Sequence, residues 1–337
     1  MSVTRLLRKY GVSITDDKVQ IDGHLQALGG LSTSLGRGKI VYVDPANGSD
    51  LYTGRTPKQA VKTLTCGYDK LSDNCNDILV LIGDNSSISL ETELVWAKDY
   101  THLYGVCSPV PIGQRARVLN KAGDAYDTAF SGKSLLKVTG SGCIFKNLYF
   151  FQGADGANKA YGAVHVTGLR NYFENVHFAG MGATASGGNA AHADSYSLKV
   201  DGGCENLFIG CSIGVDTIKR TAANNHLVIT GVTRRNEFVD CRFLSWAENN
   251  AYTIAKIVGG QEFYTLFDNC WFYNFWTDFA DGLNEAFDVT VTTTHYSLFI
   301  NPSLFNIDEL DAGDASGTLV TGPATAAACG IAVTPTT

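Results

Sequence analysis

Any chemistry in this chain must come from carboxylates and aromatic rings. Asp155, Asp194, Asp216, Glu248, Asp278 and Asp281 lie in or beside stretches that project between apolar segments. Hydrolysing a glycosidic bond takes two carboxyl groups about 5–9.5 Å apart, one donating a proton and the other acting as base or nucleophile. Sequence spacing brings no two of these six together, so no catalytic residue is assigned. Trp246, Trp271, Tyr273 and Trp276 offer flat rings that suit either stacking on a sugar or contact between subunits. His165 and His177 are expected to point outward from two strands of one turn, as surface or interface residues.

Metal and cofactor chemistry find no foothold. The chain has nine cysteines but no C-x-x-C pair, and its histidines lack ligand spacing. Free thiols formed in a reducing cytoplasm are expected. The net charge of −7 argues against a nucleic-acid or anionic-membrane partner, which would demand clustered Lys and Arg. The basic pairs Lys219-Arg220 and Arg234-Arg235 read as solvated corner residues. No run of eighteen or more apolar residues is present for a membrane span, and the N-terminus is too polar after Leu7 for a cleaved leader.

The elements that must position these side chains are announced by a repeat. A seven-residue phrase recurs six times, with Phe145, Phe173, Phe208, Phe238, Phe267 and Phe299 in one column, 28 to 35 residues apart. Two positions on stand Asn147, Asn175, Gly210, Asp240, Asn269 and Asn301, the residue types that enter left-handed backbone at least cost. Leu148, Val176, Cys211, Cys241, Cys270 and Pro302 follow, and then, two further on, Phe150, Phe178, Ile213, Phe243, Phe272 and Leu304. Each copy is therefore strand, sharp corner, strand, with apolar side chains alternating on either side.

A second column stands one strand earlier. Val138, Val166, Val200, Ile229 and Ile257 each precede a glycine by two residues, and Val289 continues the column without the glycine. Three short strands per turn of roughly thirty residues cannot bury their apolar face alone and must stack. The pattern predicts a parallel β-helix of about seven rungs, with a degenerate first rung at Leu103 to Cys107 and the cysteine column facing inward. Insertions at 151–163, 179–196, 214–225, 244–254 and 273–286 leave the rungs on one side. The small residues of 180–193 suit close packing against another subunit.

Four segments follow from this reading. Residues 1–38 do not share the repeat; they carry a short helix with Leu6, Leu7 and Tyr10, and a strand at 19–21. They are too short for a core of their own, so they are expected to dock on a particle. Residues 39–77 form a cap with a strand at 40–43 and a helix over 56–71 that starts at Thr56-Pro57. Residues 78–310 are the β-helix, beginning with a doubly buried strand at 78–82. Residues 311–337 bear no charge after Asp314 and read as a docking tail.

The run from Tyr42 to Asp50, with Gly54 to Pro57 and Val61 to Leu64 after it, resembles the opening of pectate-lyase-like right-handed β-helix proteins. That opening is common among bacteriophage tailspikes and other virion β-helix proteins. The resemblance covers about 40–305 and implies an all-β right-handed parallel β-helix, commonly trimeric. It implies either a polysaccharide-cleaving spike or a passive surface component. Pectate lyases use clustered aspartates for calcium and an arginine base on one sheet. No rung here carries that array, since Asp201 and Glu205 flank a Gly202-Gly203 turn. The expected function is a non-enzymatic capsid decoration or cement-like protein. It would form a homotrimer, bind capsid or tail proteins, be assembled in the host cytoplasm and reside in the virion. The alternative is a tailspike that binds or depolymerises a host surface glycan.

Overall fold

The computed structural model describes residues 12–15, 18–21, 38–154, 162–183, 189–259, 262–276, 282–291, 295–310 and 318–321. Two compact units divide the chain, residues 1–38 and residues 39–337. In the first, Val12–Thr15 pairs antiparallel with Lys18–Ile21. Leu6, Leu7 and Tyr10, and the helix expected around them, lie outside the described residues.

In the second unit the repeat becomes three parallel ladders. The first ladder stacks Ile40–Val43, Asp77–Ile82, Thr101–Val106, Ile144–Phe151, Tyr172–Ala179, Leu207–Ile209, Asn236–Val239, Phe263–Asp268, His295–Ile300 and Thr318–Thr321. It thus takes in strands on either side of 78–310. Beyond the Asn/Asp corner, a second ladder runs from Ile88–Leu90 through Arg117–Asn120 and the far ends of Ile144–Phe151 and Tyr172–Ala179. It continues through Ser212–Gly214, Arg242–Trp246 and Trp271–Phe275 to Ser303–Phe305. The third ladder is a separate seven-stranded sheet, from Leu94–Trp96 to Phe287–Val291. Seven strands mean six rung-to-rung steps.

Both predicted columns face inward. All six phenylalanines of the first column are fully buried. Their rings stack rung on rung at centroid distances of 4.8, 4.7, 4.6, 5.0 and 4.8 Å, with planes within 9° of parallel. That spacing is the strand separation itself, so ring stacking and ladder hydrogen bonds are satisfied together. The corner column is left-handed throughout, with φ of 55° at Asn147, 51° at Asn175, 58° at Gly210, 52° at Asp240, 52° at Asn269 and 46° at Asn301. Cys211, Cys241 and Cys270 are buried, and each Sγ reaches the carbonyl of the preceding rung's phenylalanine at 3.3–3.5 Å. Burial pushes the Cys211 and Cys270 thiols up, so they stay protonated and act as small apolar fillers.

One inward polar column escaped the sequence reading. Asn171, Asn206 and Asn236 stand just before the repeated phrase and are buried. The Asn171 side-chain oxygen accepts from the Cys143 backbone N–H at 2.8 Å, that of Asn206 from Asn171 N–H at 2.9 Å, and that of Asn236 from Asn206 N–H at 3.1 Å. Their amide nitrogens donate to Gly140, Gly168 and Gly203 carbonyls at 3.0, 3.2 and 2.9 Å. The ladder thereby satisfies backbone groups at a corner where strands do not pair.

The cap departs from expectation. Instead of one helix over 56–71, Pro57–Gln59 forms a single 3₁₀ turn and Leu64–Asp69 a short α-helix. Between them Val61 bridges Val43 as extended chain, and its N–H donates to Tyr42 O at 2.9 Å. The helix starts anew because the Thr63 hydroxyl accepts from Cys66 N–H, while Asp50 accepts from Lys62 and Thr63 N–H. Pairing with the first strand outweighed the proline start signal.

Candidate functional site

The outward face of the third sheet carries a cationic column. Lys137, His165, Lys199, Val228, Lys256 and Asp288 are register neighbours from rung to rung. The signal was in the sequence, one residue before each aliphatic of the second column. His165 faces outward as expected, 3.4 Å from Asp201. Burial and the Lys199 and Lys137 ammonium groups nevertheless lower its pKa to about 4, so the ring is neutral at pH 7. Beside the column lies an open groove of about 470 Å³ lined by Asp194, Tyr196, Lys199, Asn225, Thr230 and Lys256.

The outward face of the second ladder is split in two. Over its upper rungs lies a strap, residues 107–114. Its Gly113 N–H donates to His177 Nδ1 at 3.2 Å, and Gln114 donates to Asn175 O at 2.5 Å. Its Pro111 carbonyl accepts from Ser212 Oγ at 2.9 Å. His177 is therefore buried and not the surface residue that strand alternation implied. Its other nitrogen meets Gly214 O at 2.9 Å, and its ring stacks on Tyr149 at 4.6 Å. Below Ser212 the same column continues as Arg242, Trp271 and Ser303, with Leu244, Tyr273 and Phe305 in the next column. Trp271 and Phe305 stay 48% and 47% exposed, edge-on to each other at 6.1 Å. The Arg242 guanidinium lies over the Trp271 ring at 5.6 Å.

Of the four aromatic candidates, Trp271 and Tyr273 share this face. Trp246 sits one rung above, paired with Phe275 and edge-on to it at 5.2 Å, its indole N–H on Glu248 Oε1 at 3.0 Å. Trp276 follows the strand end and is half-buried. Arg242, their cationic neighbour, was not singled out from sequence.

Among the carboxylates, Glu248 also bonds Lys219 Nζ, Asp194 is exposed beside His192 at 4.0 Å, and Asp216 is half-buried. Asp155, Asp278 and Asp281 lie outside the described residues. The basic pairs divide. Arg234 and Arg235 are surface residues paired with Glu262 and Glu205. Arg220, by contrast, is fully buried. Its guanidinium donates to the Asn224 side chain at 2.8 Å, Ser245 at 2.9 Å and the carbonyls of Thr253 and Asn224, joining two insertions. Burial lowers its pKa to about 9, which leaves it charged at neutral pH. Close by, burial followed by the charge of Arg220 holds His226 well below the ordinary histidine value.

The small residues of 180–193 make their described close contacts within the chain. A Cβ on Gly180 would lie 1.8 Å from Tyr196 O, and Asn189 donates to the Gln152 and Gly180 carbonyls at 2.8 and 2.6 Å.

No protein-family model matches the sequence, and no curated protein matches it. Solved structures do. A rhamnogalacturonan lyase superposes with a TM-score of 0.56 at 14% identity, over 80% of this chain and 69% of that one. The pectate lyase Pel9A gives 0.54 at 16%, over 80% of this chain and 64% of that one, so the chain spans just under two thirds of that enzyme's length. A pectin methylesterase in complex with a hexasaccharide gives 0.54 at 14%, over 85% and 90%. At these identities the likeness is one of fold. The protein is an all-β, right-handed parallel β-solenoid.

Proposed function

We propose that this chain is a non-enzymatic structural protein of a bacteriophage virion, a capsid decoration or cement-like component, acting as a homotrimer. The observation that carries this reading is how the surface charges are used. Lys146–Glu174, Arg170–Glu205, Arg235–Glu205, Lys219–Glu248, Arg234–Glu262 and Lys256–Asp288 are all ion pairs between residues one rung apart. Each exposed pair is worth little alone, but six of them stitch successive rungs along the solenoid axis. Such stitching suits a rigid surface rod. The phage setting rests on the resemblance of the 42–64 opening to virion β-helix proteins, and residues 1–38 are assigned to attachment. In the test, full-length protein and residues 39–337 are each added to particles stripped of it, and the pellets are assayed. Retention of the full chain alone supports the reading; equal retention of both, or of neither, contradicts it.

A second reading, a spike that binds or cleaves a host surface glycan, is favoured by the lysine column and the groove beside it. The three solved structures above are polysaccharide-processing enzymes by name, which is consistent with it. Reducing ends released from host capsule or lipopolysaccharide, and lost on changing Lys199 and Lys256 together, would replace the first reading with this one.

A further inference from the structure

We propose that the cap leaves one strand position vacant, and that this vacancy takes an extended peptide of another protein as an added β-strand. The position lies above Ile88–Leu90, the first strand of the second ladder. It is independent of the virion reading and of the lysine column, which lies on the third sheet.

The vacancy follows from how the solenoid begins. Ile40–Val43 lies above Asp77–Ile82 and covers the top of the first ladder. At the top of the third ladder, Tyr68 of the cap helix ties down the strand end. Its hydroxyl accepts from Ala97 and Lys98 N–H at 2.8 and 3.1 Å, and its ring meets Trp96 at 4.7 Å. The second ladder has no such cover. After Val43 the chain turns into the cap instead of laying a strand over Ile88–Leu90, which among the described residues pairs with Arg117–Asn120 alone. In that place lies a groove of about 610 Å³, walled by residues 62–65 and floored by residues 87–94.

Two features of the groove select its occupant. The first is main-chain polarity. Leu90 O accepts from Lys121 N–H at 2.7 Å, so Ile88 and Leu90 direct their backbone groups at the strand below. Successive residues of a parallel ladder face opposite neighbours, which turns the Ser89 N–H and C=O toward the groove. Among the described residues neither group has a hydrogen-bond partner. A donor and an acceptor on one residue's backbone match the main chain of an extended peptide, whereas a bare ion would satisfy one of them and strand the other. The cap wall admits a single segment and keeps the edge from open-ended pairing with another sheet.

The second feature is the lining. Leu64, Ile88 and Leu90 are buried beneath the groove, which suits a segment that turns an apolar side chain inward at every other position. Glu93 spends Oε1 on Ser134 N–H at 2.9 Å, and Glu91 meets Lys121 at 2.7 Å. The lining still carries these two carboxylates, where the floor strand ends, against the one ammonium of Lys62. A segment with basic residues beside its alternating apolar ones matches both the edge and the charge.

The test uses full-length protein and acetylated, amidated hexapeptides. These are TVTVKK, its counterpart TVTVEE, and TVTVKK with N-methyl groups on either set of alternate residues. Fluorescence polarisation reads affinity, and amide hydrogen exchange reads the edge. In the free protein the Ser89 N–H is expected to exchange fast, and saturating TVTVKK should slow it by about tenfold or more. At least one N-methyl pattern should weaken binding by about tenfold or more, and TVTVEE should bind less tightly than TVTVKK. Ser89→Pro removes the groove-facing donor while Ile88 and Leu90 keep their ladder bonds. It should therefore weaken TVTVKK binding by about tenfold or more and leave the urea midpoint unchanged. Protection of the Ser89 N–H in the free protein would mean that the edge is already covered, and overturns the proposal. So does the absence of TVTVKK binding at millimolar concentration, equal or tighter binding of TVTVEE, or indifference to both N-methyl patterns. Unchanged binding by Ser89→Pro, or loss of its fold, overturns it as well.

Discussion

Acid should loosen this β-helix through His177. Its Nδ1 accepts the Gly113 N–H at 3.2 Å while its Nε2 donates to Gly214 O at 2.9 Å, so the neutral ring carries its proton on Nε2 and satisfies both partners. A second proton on Nδ1 would turn that acceptor into a donor facing another N–H. Burial, followed by the charge of Arg117, lowers the pKa of this ring from the ordinary 6.5 to about 4. Above pH 6.5 the imidazole is neutral whether the chain is folded or not, and stability does not depend on it. Between 6.5 and 4 the unfolded chain binds more protons than the folded one, so stability falls as pH falls. The loss from His177 alone is about 2 kcal/mol at pH 5 and approaches about 3 kcal/mol well below pH 4. His226, buried and displaced in the same direction, adds to it. Urea unfolding at pH 7 and pH 5 measures the difference, and His177→Gln, which cannot titrate, should recover about 2 kcal/mol of it. Equal pH dependence in wild type and variant, or a wild type whose stability is flat from pH 7 to 5, would refute the reasoning.

Three further outcomes follow from the core. Phe238→Ala opens a void between stacked rings and should destabilise the protein by about 3–5 kcal/mol in urea melts, while Phe238→Asp should yield no soluble folded chain. Asn206→Ala deprives Asn171 N–H and Gly168 O of their partners and should lower stability by about 2–3 kcal/mol, with amide exchange rising first at 168–171. Thiol titration in denaturant without reductant should find all nine cysteines free; recovering several disulfides from alkylated protein would contradict the filler role.

What the sequence made legible was whatever every rung repeats. The stacked phenylalanines, the left-handed corners and the Val138-to-Val289 column each impose one requirement several times over, and periodicity exposes them. Features made once stayed hidden. His177 lies on an outward strand position, yet the non-repeating strap from 107 to 114 crosses above it and removes it from solvent. Arg220 occupies a corner by pattern, but hydrogen bonds from two insertions gather around its guanidinium. The helix expected from Thr56-Pro57 breaks because Val61 is drawn into pairing with Val43. For the candidate sites, the aromatic residues were visible as residue types, whereas the placing of Arg242 over Trp271, with the strap edge above them, depends on register between strands about thirty residues apart.

The proposed role puts the protein on a particle, and antibody-gold labelling of intact virions tests that placement. A structural coat of stitched β-helices predicts label spread across the capsid lattice, in fixed ratio to the major capsid protein. Label confined to the tail tip, or absent from purified particles, would contradict it.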